Sequence, residues 1–155
     1  MKTSQAGLDL IERFEGFRPM AYQCPAGLWT IGYGHTAGVK CGMTCTADVA
    51  ATYLAGDVAG AEAVVNRLVL PRIDLTQGQF DALVSLVYNI GGGNFASSTL
   101  LDLLNNGRYD DAARQFLVWD HIKGVVSPGL LRRRLAEHDM FIGPPPDGPG
   151  GSTGQ

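Results

Sequence analysis

The chain has 155 residues, of which 45% are hydrophobic, and its formal net charge is −3. A chain of this size and apolar content can bury a core unaided, so we expect one globular domain. The charge excludes a general nucleic-acid binder, which needs clustered Lys and Arg. The sequence has no apolar run near the ~20 residues of a membrane span, and residues 1–5 are polar where a signal peptide would be apolar. We therefore expect no membrane anchor and no export by the N-terminus.

The first predicted helix ends on an acidic residue. Leu8, Ile11 and Phe14 recur at the spacing that places them on one helical face, Glu15 follows, and Gly16 ends the helix. A carboxylate there faces the negative end of the helix dipole, so it costs stability unless it has another use. Apolar rings beside it and the helix end both oppose ionisation. We therefore expect Glu15 to stay protonated near neutral pH, as a general acid must.

The next segment alternates with a period of two and contains a proline-glycine turn, which predicts a small antiparallel hairpin or a three-stranded sheet. Gly32 and Gly34 fall on one face of its last strand and leave that face without side chains. Glycine inside a strand often marks close approach by a ligand or another backbone. Thr30 and His35 border this strip, which we interpret as a trough for a chain-like ligand.

The rest of the sequence is predicted to be helical throughout. A long helix begins at Thr46 or Asp48 and reaches about Leu68, with two glycines inside it that permit a bend. Thr76 begins a helix through Tyr88 that has almost no polar face and is expected at the centre of the core. Shorter helices are predicted near 98–105 and 109–118, and a last one from Pro128 to about Met140.

Glu15 is followed nine residues on by Cys24 and six further by Thr30, which opens the strand Thr30-Ile31-Gly32-Tyr33-Gly34-His35. This specific spacing resembles that of the phage-type lysozymes of glycoside hydrolase family 24. That family has Glu at the end of the first helix, Asp or sometimes Cys nine residues on, and Thr six further, inside a Thr-(Ile/Val)-Gly-x-Gly-His strand. Here these are Glu15, Cys24 and Thr30, and the strand motif 30–35 is complete. The resemblance covers roughly residues 6–143 and includes these further motifs: 80–85, Tyr88-Asn89-Ile90-Gly91, 98–101, Trp119 and Gly129-Leu130-x-x-Arg133-Arg134.

The resemblance implies an α+β, lysozyme-like fold with a cleft between two lobes. A small N-terminal β-sheet lobe spans about 15–45, and a larger all-helical lobe spans about 70–143 and includes the N-terminal helix. The long helix joins the lobes. We expect residues 1–143 to form the catalytic domain, and the Pro/Gly-rich residues 144–155 to form a flexible tail.

The resemblance also implies an endolysin that degrades peptidoglycan and leads to host cell lysis. The expected reaction is hydrolysis, with inversion, of the β-1,4 bond between N-acetylmuramic acid and N-acetylglucosamine. Glu15 is the expected general acid, Thr30 hydrogen-bonds the attacking water, and Cys24 assists that water in place of the usual Asp. A free thiol is mostly protonated at pH 7. Our hypothesis is that Cys24 orients the water or stabilises developing positive charge, and is not a covalent nucleophile.

Several other polar residues have two interpretations. Asn89 either binds N-acetyl or hydroxyl groups of the sugar or caps its helix. His35 is expected to support the fold near Glu15 and not to carry a proton. The arginines at 132–134 either meet carboxylates of the peptide stems of peptidoglycan or form internal ion pairs.

The cysteines leave two further alternatives open. Cys24, Cys41 and Cys45 are too few for a disulfide scaffold and indicate synthesis in a reducing compartment. With His35 they contain the ligand types of a Cys3His zinc site, although the spacing matches no recognised motif. A Cys41–Cys45 disulfide formed after release would constrain one short loop. We predict no bound metal and no cofactor.

Two other function classes compete with the hydrolase. A lytic transglycosylase needs only a catalytic glutamate, here Glu15, and forms an anhydro sugar without using water. An inactive wall-binding module is the third class. Family analogy adds a holin-type membrane pore as the partner that gives access to the wall. We expect a monomer that stays in the host cytoplasm until release and then acts on the cell wall.

Overall fold

Helices form most of the structure, and the strands make two short hairpins. The computed structural model describes residues 1–144, so residues 145–155, which make up nearly all of the predicted tail, lie outside the described residues. Its elements in chain order are α1 Gln5–Glu15, β1 Arg18–Gln23, β2 Trp29–Gly32, α2 Ala47–Leu68, α3 Gln77–Ile90, α4 Gly92–Ala96, α5 Thr99–Asn105, α6 Tyr109–Arg114, a 3-10 helix Gln115–Trp119, β3 His121–Ile122, β4 Val125–Val126 and α7 Pro128–Ile142.

Helix α1 is fixed to the helical part of the molecule at its N-terminus. The Ser4 side chain caps the helix by accepting from the backbone N–H of Gly7. The Ser4 backbone N–H and hydroxyl both donate to Asp81 on α3, and the Thr3 backbone N–H donates to Glu62 on α2 over 2.8 Å. These bonds set the position of the whole helix, including Glu15, its last residue.

Strands β1 and β2 form a two-stranded antiparallel sheet, which is one of the two predicted arrangements. Strand β2 ends at Gly32, because Gly32 and Gly34 adopt φ of +66° and +88° and turn the chain. A Cβ on Gly32 would lie 3.0 Å from the Cβ of Ala50. The expectation of a bare trough is therefore wrong at Gly32, where the absent side chain admits α2. A Cβ on Gly34 would lie 3.3 Å from Oε2 of Glu15.

Helices α2 and α3 supply the centre of the core. Helix α2 begins after the N-cap Thr46 and continues through both of its glycines. Val49, near the start of α2, is 40% exposed. Helix α3 has both bonds of the predicted capping box, and each of its residues 80–87 is buried, as expected for the central helix. The core joins α3 to side chains of α1, α2, α4, α5, α6 and α7.

The prediction that the second half is helical throughout is wrong at residues 121–126. Strands β3 and β4 pair there as an antiparallel hairpin, with His121 opposite Val126. Lys123 and Gly124 between them have φ of +50° and +78°, the signature of a tight hairpin turn. Two-residue strands are too short to show an alternating pattern, so no periodic signal marks them. Within residues 1–144, no helix combines the length and apolar character needed to cross a membrane.

Candidate active site

Glu15 lines two cavities, and the first of them lies between the turn after β2 and the helices. The first cavity, of about 460 Å³, is lined from α1, the turn after β2, α2, α3 and α4. The second, of about 580 Å³, is lined from α1, α3, β3 and the start of α7. Glu15 and Asn89 line both cavities. The Glu15 side chain is 22% exposed, so its carboxyl is open to a ligand but largely enclosed by protein.

Arg133 holds the Glu15 carboxyl in place. Its Nη1 lies 2.6 Å from Oε1 of Glu15, and its side chain is only 4% exposed. Its Nε lies 3.1 Å from Oε1 of Glu137, and its Nη2 donates to the backbone carbonyl of Ser85. A charge-assisted bond from a guanidinium whose other nitrogens are also occupied fixes the position of Glu15 relative to α3 and α7.

A fully buried ion pair stands behind Arg133. Nε of Arg134 lies 2.9 Å from Oε2 of Glu137, and neither side chain is exposed. Burial lowers the pKa of Arg134 to about 10 and raises the pKa of Glu137. Ser85 and both arginines compensate Glu137 by hydrogen bonding to its Oε1. Arg133 and Arg134 therefore form internal ion pairs, which is one of the two interpretations considered for the arginines.

Tyr88 connects the helical side of the cavity to the turn after β2. Its hydroxyl donates to the backbone carbonyl of Tyr33 over 3.0 Å, and a Cβ on Gly34 would lie 3.6 Å from the same hydroxyl. Burial, followed by the negative charges of Glu15 and Asp57, raises the pKa of Tyr88. The phenol therefore keeps its proton and remains a donor beside Glu15.

Cys24 and Thr30 lie together on the β1–β2 hairpin. Thr30 is only 4% exposed, and its hydroxyl donates to the carbonyl of Leu28 over 3.1 Å. The backbone N–H of Leu28 is the largest cause that lowers the pKa of the Cys24 thiol, opposed by partial burial. The N–H groups of Ala26 and Cys24 and the Thr30 hydroxyl also lower it. Neither Cys24 nor Thr30 lines the two cavities that Glu15 lines.

His35 bonds to the long helix from the turn after β2. Its Nδ1 lies 2.8 Å from Oδ2 of Asp57, and its ring stacks on Tyr53 with centroids 4.2 Å apart. Both partners belong to α2. The ring thus connects the sheet segment to α2, while Asp57 lines the first cavity.

Asn89 presents an amide to both cavities. Its Oδ1 accepts a hydrogen bond from Nη2 of Arg134 over 3.0 Å, and its residue is exposed. Under the alternative interpretation Asn89 would cap this helix, but the helix end is closed by the backbone N–H of Gly91. In the part of the chain that the structure describes, the Nδ2 group of Asn89 makes no hydrogen bond, so it is available to a ligand.

The cysteines do not form the sites considered from sequence. All three thiols are free, with Cys41 exposed and the other two partly buried. Among residues 1–144, no group of three His, Cys, Asp or Glu side chains is placed to hold a metal ion, so the Cys3His alternative has no geometric basis.

Two residues of this site had no role predicted from the sequence, and the contact of a third, Arg133, with Glu15 was not predicted. Asp57 and Tyr88 come close to Glu15 only through tertiary packing, and no local pattern distinguishes them. Arg133 had a partial signal, because Arg133 and Glu137 are four residues apart on one helix face. That spacing indicates an internal partner for the arginine, although it does not reveal the contact with Glu15.

A carboxyl at the end of a first helix, in a cleft between a small sheet segment and a helical body, defines a lysozyme-like α+β fold. The chain belongs to the phage lysozyme family, whose family model matches residues 12–137. The predicted family and fold class are confirmed, and the chain is therefore a glycoside hydrolase of the lysozyme type.

Individual relatives agree with this membership over almost the whole chain. The endolysin of Acyrthosiphon pisum secondary endosymbiont phage 1 is 44% identical over 145 residues, covering 91% of this chain and 98% of that protein. The endolysin of Salmonella phage P22 is 40% identical, covering 92% and 99%. Among solved structures, the muramidase domain of SpmX from Asticaccaulis excentricus superposes with a TM-score of 0.87 at 42% identity, covering 92% and 99%.

Proposed function

We propose that this enzyme hydrolyses the β-1,4 bond between N-acetylmuramic acid and N-acetylglucosamine in peptidoglycan, with inversion at the anomeric carbon. The observation that carries the proposal is the position of Glu15, which is partly enclosed, lines both cavities and is held by Arg133 at 2.6 Å. A glycan strand lying through both cavities would cross this carboxyl.

Glu15 acts as the general acid that protonates the leaving oxygen. General-acid catalysis requires the carboxyl to be aimed before the substrate arrives, and the bond from Arg133 provides that aim. Tyr88 encloses the same carboxyl from α3, and Gly34 leaves space beside its Oε2. The absence of a side chain at Gly34 allows a sugar ring to approach the acid closely.

Thr30 and Cys24 act on the water from the hairpin. An inverting glycosidase needs room for a water on the face of the sugar opposite the acid, with its two catalytic groups about 6.5–9.5 Å apart. Thr30 donates its proton within the hairpin, so the lone pairs of its oxygen can accept from a water. A lowered pKa increases the thiolate fraction of Cys24, which orients the water and stabilises positive charge on the sugar.

Asn89, which lines both cavities, supplies a sugar contact. Arg134 occupies its Oδ1, so Nδ2 faces the substrate as a donor. An N-acetyl carbonyl or a ring hydroxyl oxygen is the acceptor that this donor fits.

Loss of turbidity of outer-membrane-permeabilised cells tests the assignment of Glu15. We expect Glu15→Gln to retain the fold and to lose nearly all activity, because the amide cannot donate an acidic proton. The matched control is Gln79→Glu on the capping box of α3, which changes the same pair of groups away from both cavities. Retained activity in Glu15→Gln would contradict the acid role.

A lytic transglycosylase is the second candidate, favoured by the absence of a carboxylate at position 24. It would use Glu15 alone and would release an anhydro sugar that is lighter by one water. Mass spectrometry of the released muropeptides separates the two reactions. Anhydro products would contradict hydrolysis and would establish the transglycosylase reaction. An inactive wall-binding module is the third alternative, and it predicts binding to the wall without any release of muropeptides.

The proposal includes a role in host cell lysis. The relatives named above are called endolysins, which supports wall degradation from within the cell. A holin-type pore would give the enzyme access to the wall, where the enzyme would act as a monomer. Expression with and without a pore-forming partner tests this route, since lysis is expected only with the pore.

A further inference from the structure

Two neighbouring arginines on α7 connect one buried carboxylate to the residues that line the cavities. Arg133 and Arg134 both donate to Oε1 of Glu137. Arg133 continues to Glu15, whereas Nη2 of Arg134 donates to Oδ1 of Asn89 over 3.0 Å. Arg134 is fully buried and lines neither cavity, while Asn89 is exposed and lines both. The second bond therefore joins a buried cation to an amide that faces the cavities.

Arg134 determines which end of the Asn89 amide points away from the core. A guanidinium has donors only, so the amide oxygen must face it and the NH2 group must point away. Turning the amide over would bring two donors together and would take an acceptor from a buried cation. Nη1 of Arg134 already has no hydrogen-bond partner within residues 1–144, so this further loss would be costly. The amide is thus held in one of its two orientations.

Glu137 keeps Arg134 from turning with the amide. Nε of Arg134 lies 2.9 Å from Oε2 of Glu137, Nη2 lies 3.2 Å from Oε1, and neither side chain is exposed. Two contacts with one carboxylate fix the plane of the guanidinium. Oε1 of Glu137 is held in turn by the Ser85 hydroxyl on α3 at 2.6 Å. The orientation of Asn89 is therefore set from inside the core.

We infer that Arg134, acting through Asn89, makes the enzyme selective for sugars whose amino group is acetylated. This inference rests on the proposed function, because it needs a sugar ring bound beside Glu15. The carbonyl of an acetamido group accepts a hydrogen bond from Nδ2 of Asn89. An N-deacetylated sugar presents an ammonium group in mildly acidic solution, and an ammonium group has donors only. Arg134 does not reach the sugar, so it is a positioning residue, and Asn89 makes the contact.

The charge of the first cavity would act in the opposite direction. Glu15 and Asp57 are the charged residues that line it, and their carboxylates would attract an ammonium group. Charge attraction alone would therefore favour the N-deacetylated sugar. A preference for the acetylated sugar is the opposite of what these carboxylates would give, so the sign of the preference distinguishes the two effects.

The test compares two substrates made from one preparation of stem-free glycan strands. The strands are N-deacetylated, and half of them are then acetylated again, so that the two substrates differ only in their amino groups. We expect the wild-type enzyme to have a kcat/KM about five- to ten-fold higher on the re-acetylated strands, the effect of one hydrogen bond. Equal values, or a higher value on the N-deacetylated strands, would overturn the inference.

Asn89→Asp tests the contact with the sugar. The new carboxylate still accepts from Arg134, but its outer oxygen is an acceptor and has no N–H to offer. We expect this variant to prefer the N-deacetylated strands, because an ammonium group then meets a carboxylate. Asn106→Asp adds the same charge at an exposed residue that lines neither cavity, and it should keep the wild-type preference. An unchanged preference in Asn89→Asp would contradict the role of the amide.

Arg134→Lys tests the positioning role. Lysine keeps a positive charge beside Glu137, but its ammonium is a point charge that cannot hold both Glu137 and Asn89, so the amide is free to turn over. We expect the preference for re-acetylated strands to fall below about two-fold, through KM, while kcat changes less because Arg133 still holds Glu15. A folded Arg134→Lys protein with the wild-type preference would refute this role. If a thermal melt shows that the variant does not fold, the exposed substitution Asn89→Asp decides the inference.

Binding measured without catalysis separates this inference from the proposed reaction. In the Glu15→Gln background, re-acetylated strands should bind more tightly than N-deacetylated strands, and adding Asn89→Asp should reverse that order. If the wild-type enzyme released products from neither substrate, the proposed reaction would fail. If the wild-type enzyme cleaved both substrates and Glu15→Gln bound both equally well, only the inference about the acetyl group would fail.

Discussion

Among single residues, we expect the contact between Arg133 and Glu15 to have the largest effect on activity. Arg133 bonds to Glu15, the proposed acid, and we propose that it acts as a positioning residue. Its forked guanidinium reaches Glu15, Glu137 and Ser85 at once, whereas a lysine ammonium is a point charge that cannot reach all three.

We therefore expect Arg133→Lys to lower kcat by on the order of 10–100-fold, because small displacements of a catalytic group cost that much. Steady-state kinetics on glycan strands measure the change, and KM should move much less than kcat. Arg114→Lys, at an exposed ion pair on α6, is the control. A parallel thermal melt separates positioning from unfolding, and unchanged kcat in a folded Arg133→Lys protein would contradict this role.

The lowered pKa of Cys24 leads to a prediction about how activity depends on pH. Its pKa is lowered, chiefly by the backbone N–H of Leu28, so its thiolate, which we propose assists the water, forms at lower pH than an ordinary thiol allows. Activity should rise as the pH passes that pKa.

Two substitutions test this rise. Cys24→Asp should move the rise in activity several pH units lower, because an aspartate ionises at about pH 3.9. Cys24→Ser should remove it and reduce the rate. The control is Cys41→Ser at an exposed thiol, which should leave the profile unchanged. Full activity with an unchanged profile in Cys24→Ser would show that the thiol is dispensable.

At the scale of elements, α3 and α7 are joined by buried charges. Glu137 accepts bonds from Ser85 on α3 and from two arginines on its own helix. Removing one partner of a buried pair leaves the others charged without compensation, which is far more costly than losing a surface pair.

Glu137→Gln should therefore reduce the free energy of unfolding by about 3–5 kcal/mol, the typical cost of breaking a buried ion pair. Chemical denaturation measures this loss. Asp139→Asn, at a 77% exposed side chain on the same helix, should change the stability by less than about 1 kcal/mol. Equal effects of the two substitutions would contradict the compensating role of Glu137.

The long elements were predictable from sequence because their signals are local. Helix α3 combines a capping box with a continuous apolar run, and α7 begins at a serine cap followed by proline. The hairpin at 121–126 was missed because two-residue strands carry no period. Gly32 was interpreted as a ligand contact, yet its missing side chain makes room for Ala50. A sequence pattern shows that a side chain is absent, but it does not show what fills the space.

At the scale of the whole molecule, the sheet segment and the helical body meet along α2 and at two side-chain bonds. His35 bonds to Asp57 on α2, and Tyr88 on α3 bonds to the Tyr33 carbonyl. The place of Glu15 in a cleft was predictable, because Glu15, Cys24 and Thr30 fit a known spacing; the roles of Cys24 and Thr30 stay predictions. Their neighbours from distant elements, including Arg133 and Tyr88, were not, since only the packed fold brings them to Glu15.

We expect His35→Ala to lower the free energy of unfolding by about 1.5–3 kcal/mol, the range for a hydrogen bond to a charged group. A double-mutant cycle with Asp57→Asn measures the coupling directly. His121→Ala, at a 48% exposed ring, is the control for loss of a histidine near an aspartate. Additive effects of the two substitutions would show that the bond does not join the two parts of the molecule.

The length of helix α1 sets the distance between its attachment points and Glu15. The helix is tied to Asp81 and Glu62 at one end and carries Glu15 at the other, so its eleven residues set the reach of the acid at about 16 Å. Inserting one alanine in its middle would swing the carboxyl by about 100° around the axis and push it about 1.5 Å outward. Such a variant would keep every side chain of the site, but its glutamate would no longer lie where the reaction needs it. The length of this helix therefore matters to the enzyme as much as the glutamate does.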